Sequence, residues 1–147
     1  LQAFDQTALI RMLMPSRGTI TKREPTETER KDMEFGIRMA REIGRLDVGQ
    51  TAVVKNLAVM ALEAIEGTDA CIRRGGELAC GGAVVAKVAK PNQDLRFDVP
   101  TVGLDTIKTM VEAGAKAIAL EAGKTLLVEK EKVVALADAN DITIVAM

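Results

Sequence analysis

The stretch KPNQDLRFDVPTVG, residues 90–103, contains alternating acidic and basic side chains. Asp94, Arg96 and Asp98 stand at every second position, and residues two apart share one face of an extended strand. Carboxylates bind hard cations such as Mg²⁺, and guanidinium groups bind phosphate oxygens. Taken alone, the pattern slightly favours a surface strip of ion pairs.

Two further segments supply polar residues between glycines. EAIEGTDACIRRGG contains Glu63, Glu66, Thr68, Asp69, Arg73, Arg74, Gly75 and Gly76, and EAGKT contains Glu121, Gly123, Lys124 and Thr125. Each segment has a simpler explanation. In the first, Thr68 or Asp69 could cap a helix, and Arg73 and Arg74 could be a solvated pair. The second lacks the GxxxxGK[ST] spacing of a phosphate-binding loop. Together with Lys87 and Lys90, however, these acids and bases favour a phosphate-ester or pyrophosphate site assisted by Mg²⁺.

The composition excludes several other kinds of site. The chain has 147 residues, a net charge of −1 and 2% aromatic residues, which argues against nucleic-acid binding. It contains no histidine, so catalysis by Ser-His-Asp or Cys-His groups and His-ligated metals are excluded within this chain. The two cysteines, Cys71 and Cys80, indicate reduced thiols and a cytoplasmic protein.

The periodicity predicts an α/β fold: a mixed β-sheet with helices packed on its faces. A capping box at Thr26–Glu29 predicts a helix from 26 to about 45 that Gly44 stops. TAVVKN and LAVMALEAI predict a hairpin that turns near Lys55 and Asn56. After a helix through ACIRRGGEL, the segments GGAVVAKVAK, GLDTIKTMVEAGA, KAIALEAG, TLLVEKEKVVALADAND and ITIVAM alternate strand and helix, which favours parallel pairing. We also expect a short helix within 1–14 and a strand or extended loop at DLRFDV.

The motifs DVGQ, EAIEGTD, RRGG, KPNQDLRFDVPTVG and EAGKT occur in this order over about residues 15–147. In this respect the chain resembles the C-terminal domain of the metal-dependent UDP-2,3-diacylglucosamine pyrophosphatases of lipid A synthesis, the type unrelated to metallophosphoesterases. The resemblance implies hydrolysis of UDP-2,3-diacylglucosamine to UMP and lipid X (2,3-diacylglucosamine 1-phosphate) with Mg²⁺ or a similar divalent cation. It implies a cytoplasmic enzyme, peripheral to the inner membrane of Gram-negative bacteria.

The resemblance also implies a domain arrangement and a set of site residues. Residues 1–147 would form a single catalytic-type C-terminal domain, and the N-terminal domain of the family, which shares the active site, is absent from this chain. The predicted catalytic residues are Asp98, Asp94 and Asp69, and the predicted metal ligands are Asp98, Asp94 and Glu66. The predicted substrate-binding residues are Gln50, Thr68, Arg73, Arg74, Gly75, Gly76, Lys87, Lys90, Arg96 and Lys124.

Two other classes of function stay open. One is a non-catalytic domain that binds a nucleotide sugar or phospholipid, and the other is a structural domain that dimerises through apolar faces. The two acids Asp94 and Asp98 favour the enzyme, because a domain that only binds phosphate has less need of them. The expected partners are the substrate, the N-terminal domain and the membrane surface, without nucleic acid, and a homodimer is one oligomeric state to test.

Overall fold

A computed structural model describes residues 13–91 and 99–147. Along these residues the elements are β1 (Gly18–Thr19), α1 (Glu27–Arg45), β2 (Thr51–Lys55), β3 (Ala58–Leu62), α2 (Thr68–Ala79), β4 (Val84–Lys87), β5 (Thr101–Val102), α3 (Leu104–Ala113), β6 (Ala117–Leu120), β7 (Leu126–Leu127), α4 (Lys130–Ala139) and β8 (Thr143–Ala146). None of these helices is both long and apolar enough to span a membrane.

Six of the strands form one mixed sheet in the order β1-β8-β6-β4-β2-β3. β4, β6 and β8 run parallel to one another, whereas β2 is antiparallel to both β4 and β3. The predicted mixed α/β sheet is therefore confirmed, and so are the hairpin in the first half and the parallel strands in the second. β1, and the ladder between β5 and β7, were not predicted, because two-residue strands carry no readable periodicity.

Helices cover both faces of the sheet. On one face, α1 packs Met33, Ile37 and Ala40 against strand residues such as Val54 and Ala86. On the other face, α2, α3 and α4 contribute an apolar cluster that includes Cys71, Ile72, Ile107, Met110, Val133 and Ala137. Both sides of the central strands are consequently buried, which explains their unbroken apolar sequences.

Local signals define α1 and the β2–β3 hairpin. Thr26 Oγ1 accepts the Glu29 N–H at 3.1 Å, and the Glu29 carboxylate accepts the Thr26 N–H at 3.0 Å, which is the predicted capping box. The hairpin turns at Asn56 and Leu57, both with positive φ, and the buried carboxylate of Asp32 accepts both of their N–H groups. α1 continues one residue past the predicted stop at Gly44.

The alternative explanation of the EGTD stretch, a helix cap at Thr68 or Asp69, is wrong. Gly67 occupies the cap position, and neither Thr68 nor Asp69 caps the helix, because both lie within its first turn. The Thr68 hydroxyl instead contacts residues at the edge of the sheet. The strand or loop predicted at DLRFDV (94–99) lies, except for Val99, outside the described residues, as does most of the helix predicted within 1–14.

Candidate functional site

The candidate site lies along the edge of the sheet at which the parallel strands end. β4 ends at Lys87, and in the ladder this residue lies opposite Leu120, the last residue of β6. Since β2 is antiparallel to β4, its first residue, Thr51, lies beside Lys87. Glu63 follows β3 at the same edge, where its N–H donates to the Thr51 carbonyl at 2.9 Å. Carboxyl ends of parallel strands are the usual place for a ligand in such sheets.

Four polar residues form a connected cluster at this edge. The buried carboxylate of Glu63 accepts the backbone N–H of Gln50 at 2.9 Å and the hydroxyl of Thr68 at 3.4 Å. The Thr68 hydroxyl also lies 3.3 Å from the hydroxyl of Thr51. We call Gln50, Thr51, Glu63 and Thr68 the Glu63 cluster. It joins the start of β2 to the end of β3 and the first turn of α2.

Lys87 is a buried cation beside the Glu63 cluster. Its ammonium group donates to the Thr101 carbonyl at 3.0 Å. Burial lowers the pKa of Lys87 from its ordinary value of 10.5, while the negative charges of Glu63 and Asp69 oppose that shift. A buried ammonium group in this position is suited to neutralising part of the negative charge of an anionic ligand that binds at this edge of the sheet.

A cavity of about 420 Å³ opens farther along the same edge. Its lining residues are Arg41, Glu42, Arg45, Ala89, Lys90, Pro91, Glu121 and Lys124. Since four of these are cationic and two are acidic, we call it the basic cavity. The Lys90 ammonium lies 3.2 Å from the carboxylate of Asp47, an exposed residue that is not part of the lining. The lysine and arginine side chains of the lining can donate charge-assisted hydrogen bonds, which bind phosphate oxygens strongly.

The chain after β4 links the Glu63 cluster to the basic cavity. The Val88 N–H donates to the Gln50 carbonyl at 2.9 Å, and the Gln50 side-chain amide donates to the Val88 carbonyl at 3.2 Å. Ala89 and Lys90 then border the cavity. The structure therefore brings together, on one edge, six of the predicted substrate-binding or catalytic residues. Gln50, Thr68, Asp69 and Lys87 lie at or beside the Glu63 cluster, and Lys90 and Lys124 border the basic cavity.

Three other predicted residues, Glu66, Arg73 and Arg74, form ion pairs on α2 or just before it. The Arg74 guanidinium donates to the Glu66 carboxylate at 2.8 Å and to the Leu62 carbonyl at 3.0 Å. This hydrogen bond holds the pKa of Glu66 below its ordinary value of 4.5. Arg73 lies 4.0 Å from Glu112 of α3, on the side of the helix that packs against its neighbour. The two neighbouring arginines therefore have different acidic partners.

Gly75 and Gly76 are buried within α2, and the structure supplies a packing reason for both. A Cβ atom at Gly75 would lie 2.5 Å from Val53, and one at Gly76 would lie 2.5 Å from the carbonyl oxygen of Ala113. The absence of Cβ lets α2 approach β2 and α3 closely. That their backbone also approaches a phosphate stays a prediction.

The predicted acid-base-acid motif is not described by the structure. Asp94, Arg96 and Asp98 all fall in 92–98, outside the described residues. Within residues 13–91 and 99–147, no three His, Cys, Asp or Glu side chains are grouped so that they can hold a metal ion. The metal ligands predicted from the sequence therefore stay predictions.

Sequence reasoning missed several residues of this edge. Glu63 and Glu121 stood in the polar segments but were not selected as site residues, although each directly follows the last residue of a strand. That position is a usable signal, because such residues lie at the productive edge of the sheet. Arg41 is an exposed residue of an amphipathic helix, and no local pattern distinguishes it from its charged neighbours.

Comparison with known proteins adds a second kind of evidence. The sequence model of the family described as the LpxI C-terminal domain matches residues 16–145. A protein of Caulobacter vibrioides named UDP-2,3-diacylglucosamine pyrophosphatase LpxI is 44% identical over 135 residues. The match covers 86% of this chain and 48% of the relative, so the chain spans about half the length of the curated relative.

Proposed function

This chain belongs to the LpxI C-terminal domain family, and from that membership we propose that it is the C-terminal part of a UDP-2,3-diacylglucosamine pyrophosphatase. The reaction is hydrolysis of the pyrophosphate bond, with UMP and lipid X as products. The observation that carries the proposal is the 44% identity to the Caulobacter pyrophosphatase over most of this chain. The N-terminal part of the enzyme is the proposed partner that completes the site.

The charges at the carboxyl edge support a pyrophosphate substrate. Lys90 and Lys124 border the basic cavity together with two arginines of α1, and Lys87 supplies a buried cation nearby. Ammonium and guanidinium groups bind phosphate oxygens and stabilise the negative charge that develops as a phosphoryl group is transferred. Gln50 and Thr68 contribute hydrogen-bonding groups beside Lys87. We assign these residues to the phosphate part of the substrate.

Mg²⁺ is the proposed cofactor, with Asp98, Asp94 and Glu66 as ligands. The described residues do not by themselves fit a metal ion, since the carboxylate of Glu66 is paired with Arg74 and no group of three acids forms. The cofactor proposal therefore rests on Asp94 and Asp98 in 92–98, and we derive no step through the ion. Of the three predicted catalytic acids, Asp69 is the one within the described residues, and its charge, after that of Glu63, opposes the lowering of the Lys87 pKa.

The chemistry of the substrate suggests where the enzyme works. UDP-2,3-diacylglucosamine carries two acyl chains, which hold it at a membrane surface, and a soluble nucleotide. We accordingly propose a cytoplasmic protein that is peripheral to the inner membrane. The possible homodimer stays a prediction.

The test is a product assay on this chain and on the full-length protein. Each is incubated with UDP-2,3-diacylglucosamine and Mg²⁺, with and without EDTA, and UMP and lipid X are measured by mass spectrometry. We expect turnover by the full-length protein that EDTA abolishes, and loss of turnover with retained folding for Asp98→Ala. The matched control is Glu27→Ala, since Glu27 is exposed and pairs only loosely with Lys31 at 3.6 Å.

Two outcomes would contradict the proposal. If the full-length protein forms no UMP under conditions in which the Caulobacter enzyme does, the chain is not part of a pyrophosphatase. If it then binds the substrate without turnover, the non-catalytic binding domain becomes the better explanation. Activity of the 147-residue chain alone would show that the catalytic groups lie within it.

A further inference from the structure

We propose that Glu121 is a positioning residue that fixes Lys90 at the wall of the basic cavity; the inference rests on the proposed pyrophosphatase function. Glu121 follows the last residue of β6, and its side chain is 5% exposed. One carboxylate oxygen accepts the backbone N–H of Ala89 at 2.8 Å. The other accepts from Nε of Arg41 at 3.0 Å and lies 3.0 Å from Nη2 of the same guanidinium in an ion pair. Both oxygens are thus used within the protein.

The contact with Ala89 matters because it holds the chain directly before Lys90. The ladder between β4 and β6 ends at the pair Lys87 and Leu120. Beyond it, Gln50 holds Val88, and Glu121 holds the next residue, Ala89. The starting direction of Lys90 therefore depends on the Glu121 carboxylate. We call the contacts of the Glu121 carboxylate with Ala89 and Arg41 the Glu121 brace. The brace holds the backbone in place past the end of the sheet, as far as the candidate phosphate-binding residue Lys90.

Arg41 pairs with the Glu121 carboxylate and holds it in the orientation that reaches Ala89. The guanidinium reaches from α1 to the end of β6, and charge-assisted hydrogen bonds of this kind are the strong ones in proteins. A buried carboxylate is costly unless it is paired and hydrogen-bonded, and here both conditions are met. The Arg41–Glu121 pair therefore joins α1, β6 and the chain after β4 into one unit around the basic cavity.

The test is a double-variant cycle in the full-length protein, with kcat and KM for UDP-2,3-diacylglucosamine measured for Glu121→Ala, Glu121→Gln, Lys90→Ala and the double variant E121A/K90A. A misplaced binding group costs on the order of 10- to 100-fold, and we expect that loss in kcat/KM for Glu121→Ala. Glu121→Gln keeps an oxygen that can accept from Ala89, so its loss should be less than about tenfold. Because Glu121 acts through Lys90, E121A/K90A should be no slower than K90A alone. Glu27→Ala is the matched control.

Amide hydrogen exchange supplies a readout that does not depend on turnover. We expect the peptide that contains Ala89 to exchange faster in Glu121→Ala and to keep its protection in Glu121→Gln and Glu27→Ala. If Glu121→Ala does not fold, Glu121→Leu, which fills more of the side-chain volume but has no acceptor for the Ala89 N–H, replaces it in the cycle and in the exchange experiment. Unchanged exchange around Ala89 in the folded variant that lacks the acceptor, Glu121→Ala or Glu121→Leu, would overturn the inference, and so would losses of kcat/KM that multiply in the double variant. A wild-type protein without turnover would instead contradict the proposed function, while faster exchange in Glu121→Ala would still support the brace.

Discussion

Replacing Gly75 by Ala should destabilise the protein, because α2 and β2 are packed too closely for a Cβ atom at this position. An ideal Cβ at Gly75 would lie 2.5 Å from both Cβ and Cγ1 of Val53 and 2.9 Å from its Cγ2. Carbon atoms normally approach to about 3.5–4.0 Å, so the overlap exceeds roughly 1 Å. Val53 lies on β2, which is paired on both sides, and cannot move away without disturbing β3 or β4.

The expected magnitude follows from two opposed effects. Extra atoms in a packed core cost about 1–3 kcal/mol, and the severe overlap with Val53 puts Gly75→Ala at the upper end. Ala is favoured over Gly within a helix by about 1 kcal/mol, which offsets part of that cost. We expect a net loss of about 2 kcal/mol in the free energy of unfolding, and a Tm lowered by about 4–8 °C.

Urea unfolding followed by far-ultraviolet circular dichroism measures this loss, since the sequence has no Trp or Tyr for fluorescence. Gly44→Ala is the matched control, because the nearest atoms to a Cβ at Gly44 in α1 lie 3.7 Å away, an ordinary contact. That variant should be neutral or slightly stabilised. Equal stability of Gly75→Ala and wild type would refute the packing explanation. If such a stable variant also lost turnover, a phosphate contact at Gly75 would be the better explanation.

Three further predictions concern the turn, the buried lysine and the thiols. Leu57→Gly should raise the free energy of unfolding by about 1 kcal/mol, because exposed Leu57 has φ +61, a value that glycine adopts freely; an unchanged or lower urea midpoint would contradict this. Burial lowers the pKa of Lys87 below 10.5, so the unfolded state holds its proton at pH values at which the folded state has released it. The free energy of unfolding of wild type, relative to that of Lys87→Met, should therefore rise with pH between the folded-state pKa and 10.5. Parallel urea unfolding of the two proteins over this pH range measures the difference, and a difference that does not change with pH would contradict the prediction. Exposed Cys80 should react with iodoacetamide in the native state at about pH 8, whereas Cys71, with a pKa raised by burial to about 12, should react only after unfolding; native labelling of both, detected by mass spectrometry, would disprove it.

Much of the fold could be predicted because its signals are local. The capping box that begins α1 involves residues three apart, and the alternation of strand and helix after Gly82 predicted the parallel strands. The family motifs likewise stand within short runs of residues, so the proposed function followed from the sequence before any geometry. Where neighbouring residues compete for one role, local reasoning was less secure: Gly67, not Thr68 or Asp69, occupies the cap position of α2, because the helix already begins at Thr68.

The arrangement of the candidate site was decided by tertiary structure. Arg41 and Glu121 are separated by 80 residues, and Glu121 and Ala89 by 32, so no local pattern could pair them. Their contact arises because β4 and β6 are neighbours in the sheet and α1 crosses the face that both strands share. The amino-acid sequence by itself determined the types of charged groups available for binding phosphate. The order of the strands then determined which of those groups meet, because a sheet edge collects residues from distant parts of the chain.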